Sequence, residues 1–99
     1  MGPRGFDAIA LAEADHVATV LRDIAAGEVL VVGCADGEVW VTATEDIPLG
    51  HKVALTAIDA GDPILKYGSA IGSATEAIAP GAHVHVHNLR SDRARRRTD

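Results

Sequence analysis

Apolar residues come in short runs along this chain, and most of the runs alternate with polar residues at a period of two. EVLVVG at 28–33 and EVWVTA at 38–43 flank ADG at 35–37, the pattern of two strands joined by a tight hairpin. HKVAL (51–55), PILKY (63–67), AIGSA (70–74) and HVHVHN (83–88) predict further short strands, and residues 8–11 a shorter one. One stretch reads differently. Asp15 has the character of an N-cap, and Val17, Val20, Leu21 and Ile24 then fall at i, i+3, i+4 and i+7 of a short helix. The same residues are also compatible with a strand. The expectation is a mainly β domain of short strands with one short helix.

A turn pattern recurs four times, in DIAAGEVLVV (23–32), DIPLGHKVAL (46–55), AIDAGDPILK (57–66) and AIAPGAHVHV (77–86). Each copy places an isoleucine (Ile24, Ile47, Ile58, Ile78) three residues before a glycine (Gly27, Gly50, Gly61, Gly81), and an extended stretch follows. The glycine suits a turn position of positive φ, and the isoleucine suits an anchor into the core. The spacing between copies is too irregular for a solenoid. One kind of turn is therefore expected to feed several strands of a single small domain.

Composition narrows the picture. With 47% apolar residues but only Phe6, Trp40 and Tyr67 as aromatics, the core must be aliphatic. A chain of 99 residues forms one domain, too small for a roomy cleft of its own. Residues 1–88 carry four basic and twelve acidic side chains, which argues against a nucleic-acid surface on the body. Residues 90–99 reverse that balance with Arg90, Arg93, Arg95, Arg96 and Arg97, and read as a disordered basic tail after a domain at 7–89, with 1–6 as an N-terminal extension. Cys34 is the single cysteine, so no internal disulfide forms. The sequence shows neither a signal-peptide h-region nor an apolar run long enough to span a membrane, and a cytoplasmic protein is the expectation.

Candidate chemistry concentrates in HVHVHN. On a strand, His83, His85 and His87 share one face, with Val84, Val86 and Asn88 on the other. Two imidazoles at i and i+2 suit a shared metal ion; three do not, since His83 and His87 would lie about 13 Å apart. The competing reading is the wet side of a half-buried strand. His51 and Lys52 follow the turn glycine Gly50, where a lysine beside a histidine suits either carboxylate binding or base chemistry, or simply a solvated strand edge. KYGSAIGS at 66–73 lacks the Lys-Ser or Lys-Thr of a phosphate loop.

Together, DHVATVLRDIAAGE, IPLGHKVAL, GDPILKYGSAIGSAT and GAHVHVHNL resemble the N-terminal domain of the altronate and galactarate dehydratase family, a SAF-type domain of the β-clip fold that also forms the small subunit of sulfolactate sulfo-lyase. The resemblance covers residues 7–89. It implies a lyase reaction on a sugar acid. A proton leaves the carbon beside the carboxylate, the β-hydroxyl departs, and a 2-keto-3-deoxy acid results; in the sulfolactate branch sulfite departs instead. It further implies a divalent metal, Fe2+ or Mn2+, to stabilise the enediolate. Carried over by motif, the site residues are His51, Lys52, Lys66 and Tyr67 in catalysis, His87 and Asn88 at the substrate, and His83 and His85 at the metal. His16 departs from the asparagine usual in the family after Asp15. Many members continue into a large catalytic domain, so this chain is expected to be a small subunit, inactive alone, whose site a large catalytic subunit completes. A SAF module that binds a carbohydrate or acid without catalysis is the alternative.

Overall fold

The computed structural model describes residues 5–10, 14–35 and 37–91. Among these, nine strands form two sheets: β1 (Ala8–Ile9), β2 (Val17–Val20), β3 (Val29–Cys34), β4 (Gly37–Thr42), β5 (Lys52–Ala54), β6 (Pro63–Lys66), β7 (Ser69–Ala74), β8 (His83–Val84) and β9 (Leu89–Ser91). The first sheet has the order β4-β3-β1-β2-β5-β8, and the second β6-β7-β9. Pairing is antiparallel throughout except between β1 and β3. The mainly β expectation holds, and the hairpin around 35–37 forms in full, with Val29 opposite Thr42 and Cys34 opposite Gly37. The basic run beyond Ser91 and the first four residues lie outside the described residues.

The expected helix at 15–24 is a strand instead, and no helix occurs among the described residues. The reason is burial on both faces. Val17 belongs to one apolar cluster with Ala54, Ile58, Ile64, Ala74, Ile78 and Val84. Ala18 and Val20 belong to the other, with Ile24, Leu30, Val32, Ile47 and Val53. β2 and its partner β5 thus form a ribbon between two cores, so apolar side chains occupy both parities and imitate helical spacing. Burying each valine stabilises the ribbon by roughly 1.5–3 kcal/mol.

The four repeated turns share one geometry. Gly27, Gly50, Gly61 and Gly81 have φ of 93°, 87°, 89° and 87°. In each case the residue after the glycine donates to the carbonyl three positions back, as His51 N–H does to Pro48 at 2.9 Å. That combination is a type II turn, which requires positive φ at its third position. The isoleucines then pair across the molecule. Ile24 and Ile47 exchange two backbone hydrogen bonds of 2.8 and 2.9 Å, and Ile58 and Ile78 do the same. Each pair sits in a different apolar cluster, so the repeats act as two clasps, one closing each core.

Candidate functional site

His51 is the last residue of a repeated turn, and Lys52 opens β5. β8 pairs with β5 so that Val53 faces His83 and Lys52 faces Val84. Beyond Val84 the expected strand through residue 88 does not continue. The chain turns at 85–88, with Asn88 N–H donating to the His85 carbonyl at 3.0 Å. Asn88 is only 4% exposed and braces this turn through its amide: Oδ1 accepts from His85 N–H at 3.0 Å, and Nδ2 donates to the His83 carbonyl at 2.9 Å. Val86, which a continuing strand would bury beside Val84, is 77% exposed.

The turn gathers what a strand would have spread out. His83 and His87, about 13 Å apart on an extended chain, have ring centroids 4.8 Å apart. His85 stacks on His51 at 3.6 Å with ring planes 14° apart. His51 Nδ1 meets His83 Nε2 at 2.8 Å, one of the two nitrogens carrying the proton. His83 and His85, the pair expected at a metal, lie farther apart, with centroids at 6.0 Å. Among the described residues no group of three or more histidine, cysteine or acidic side chains has the spacing of a metal centre. Glu45 accepts from the His83 backbone N–H at 3.0 Å and faces the same cluster.

Burial holds His83 below the ordinary histidine value, helped by His87 and His51 and opposed by Glu45. His85 is lowered in the same way, first by burial and then by His51, Lys52 and His87. Its Nδ1 is buried without a hydrogen-bond partner among the described residues. Both depressed values favour neutral imidazole near pH 7, the form that acts as a ligand or base. They also fix a pH dependence. Below 6.5 the unfolded chain takes up protons that folded His83 and His85 resist, so acidification favours unfolding. The melting temperature of the isolated chain is expected to be level between pH 8 and 7 and to fall from 6.5 towards 5; a flat profile across that range would contradict the assignment.

Lys52, half-buried, is held below the usual lysine value by burial and then by Lys66. Lys66 ends β6, and its Nζ lies 4.7 Å from the centre of the Tyr67 ring. The candidate residues thus come from three segments, 51–52, 66–67 and 83–88, with Lys66 near enough to Lys52 for its charge to be felt there. Sequence reasoning missed the residues that hold these segments in place. Asp15, read as an N-cap, accepts hydrogen bonds at the Tyr67–Gly68 turn instead. His16 Nδ1 accepts from Leu65 N–H at 3.0 Å. A 440 Å³ cavity lies elsewhere, lined by Ala10, Asp15, Cys34, Val39, Val41 and Leu55 among others, and none of the histidines lines it.

Comparison with known proteins gives this arrangement a context. Altronate dehydratase of Bacillus subtilis (strain 168) is 45% identical over 78 residues, and so is altronate dehydratase of Escherichia coli (strain K12). Each alignment covers 79% of this chain but only 15% of the relative. The (2R)-sulfolactate sulfo-lyase subunit alpha of Paracoccus pantotrophus is 44% identical over 63 residues, covering 64% of this chain and 94% of that subunit. The model of the altronate/galactarate dehydratase SAF domain matches residues 6–92. The chain belongs to the altronate/galactarate dehydratase SAF domain family.

Proposed function

We propose that this chain supplies the histidine- and lysine-bearing part of the active site of a sugar-acid hydro-lyase, completed by a large catalytic body of the same family. The observation that carries the reading is the 2.8 Å contact of His51 Nδ1 with His83 Nε2, next along the chain to Lys52, in a chain of this family. The chain spans 15% of the altronate dehydratases it matches, and nearly all of a protein named as a subunit. Both relations support a site shared with a larger partner.

Two imidazoles of this chain suit a divalent ion such as Fe2+ or Mn2+ as part of a ligand set that the large partner would complete. Imidazole is a good ligand for such ions, and neighbouring ligand atoms in a coordination sphere sit about 3 Å apart. His51 and His83 would hold the ion, with His85 and its unsatisfied Nδ1 stacked behind. When bound, it would stabilise the enediolate charge as a Lewis acid. The chain's own residues do the rest. Lys66 attracts the substrate carboxylate. Lys52, its pKa lowered by burial and by Lys66, is suited to take the proton beside that carboxylate. Tyr67 and His87 are assigned to substrate contact, and Asn88 holds the turn that carries His85 and His87.

A second reading follows from the 94% coverage of a sulfolactate sulfo-lyase subunit: the same site with sulfite as the leaving group. The test is to purify the tagged chain from its host, identify its partner by mass spectrometry, and offer the complex altronate, galactarate and sulfolactate. A 2-keto-3-deoxy acid is the expected product, and sulfite release would favour the second reading. A chain that returns alone and turns over none of these acids would overturn both and leave a non-catalytic binding module.

A further inference from the structure

The hairpin between β6 and β7 ends in a two-residue turn, Tyr67–Gly68, with Lys66 opposite Ser69. Both turn residues have positive φ, 54° and 81°, as a type I′ turn requires. Asparagine or glycine ordinarily fills the first of these positions. A tyrosine there is conformationally uphill, and Tyr67 is the one non-glycine residue of positive φ among the described residues.

What holds the turn comes from far away in sequence. Asp15 is 8% exposed, and its two carboxylate oxygens accept from Tyr67 N–H and Gly68 N–H, both at 2.8 Å. Amide bonds to an ionised carboxylate are among the stronger hydrogen bonds. The next residue ties down the base of the same hairpin. His16 Nδ1 accepts from Leu65 N–H, His16 N–H donates to the Leu65 carbonyl at 2.9 Å, and the His16 carbonyl accepts from Leu55 N–H at 2.8 Å. Asp15 and His16 therefore lock the Lys66–Tyr67 tip onto the β2–β5 ribbon, the element that carries Lys52.

We propose that Asp15 is a positioning residue: it fixes the Tyr67–Gly68 turn and thereby sets Lys66 and Tyr67 where the carboxylate of an acid substrate binds. The geometric half of this stands on the hydrogen bonds alone. The substrate half rests on the function proposed above.

The test uses the full chain, labelled for NMR, as wild type, Asp15→Ala and Asp15→Asn, with altronate as the probe. In the wild type the Lys66 side-chain protons are expected to show a ring-current shift from Tyr67, and Tyr67 a coupling constant of left-handed backbone. Asp15→Ala should abolish both, and should weaken altronate binding tenfold or more with the His51, His83 and His85 signals in place. Asp15→Asn keeps one acceptor oxygen and should fall between. A folded Asp15→Ala chain with wild-type Lys66 shifts and wild-type altronate affinity overturns the proposal. If Asp15→Ala does not fold, Asp15→Asn decides it by the same readings. If the wild-type chain does not bind altronate without its partner, the affinity comparison is made in the assembled complex, and the Lys66 and Tyr67 signals of the chain alone still decide whether Asp15 positions the tip.

Discussion

Replacing His51 by alanine is expected to lower kcat/KM of the assembled enzyme by a factor of about 100 or more, with the fold of the chain retained. The size follows from the loss of one group engaged in acid–base or metal chemistry, typically 10²- to 10⁴-fold. His51 is the right residue to remove because it makes two of the cluster's contacts at once, the nitrogen contact to His83 and the ring stack on His85. The fold should survive, since the ring is only partly buried and β5 is anchored by Val53 and Ala54 in the two cores. Metal content measured with turnover separates the roles: loss of both marks a ligand, loss of turnover alone marks a base. Turnover within a few-fold of wild type at unchanged metal content would remove His51 from the site.

The largest stability effect is expected at Gly81. All four turn glycines have positive φ, but a methyl group at Gly27, Gly50 or Gly61 would meet open space. At Gly81 it would collide with the backbone carbonyl oxygen of Thr42 and press on the Thr44 side chain. Gly50→Ala should therefore cost only the conformational penalty, about 1–2 kcal/mol. Gly81→Ala adds overpacking against backbone, for a total of about 2–5 kcal/mol. At about 4–8 °C per kcal/mol for a domain of this size, the melting temperature should drop on the order of 10–40 °C. Denaturant titration of the two variants checks the contrast, and equal losses would refute it. The effect should also reach the site, because Thr44 N–H bonds to the Gly81 carbonyl and the neighbouring Glu45 holds the His83 N–H.

Local signals in the sequence were the reliable ones. The Ile-x-x-Gly turns and the hairpin at 28–43 are encoded within a few residues, and both form as expected. The misread helix at 15–24 depended on a second core that only the folded chain creates, since apolar residues at both parities of a strand cannot be told from a helical stripe by spacing. HVHVHN was misread as a strand for a related reason. Its alternation is perfect, but Asn88 bonds back to its own turn and ends the strand after Val84. The candidate site residues were named through the family resemblance, whereas their mutual contacts were not legible in the sequence. His51 and His83 stand 32 positions apart, and Asp15 and Tyr67 stand 52 apart, beyond the reach of any periodicity.

The two isoleucine clasps also bear on the order of events in folding. They close loops running from residue 24 to 47 and from 58 to 78, and the β5–β8 pairing spans a comparable distance. Chains dominated by such non-local pairings fold in milliseconds to seconds rather than microseconds, because loop entropy is lost before contacts compensate it. The short β8, only two residues long, offers little to nucleate on and is expected to dock after the β3–β4 hairpin has formed. The histidine cluster then comes into being late, on the native side of the rate-limiting barrier. A ligand gripping that cluster should accordingly slow unfolding while leaving the refolding rate almost untouched.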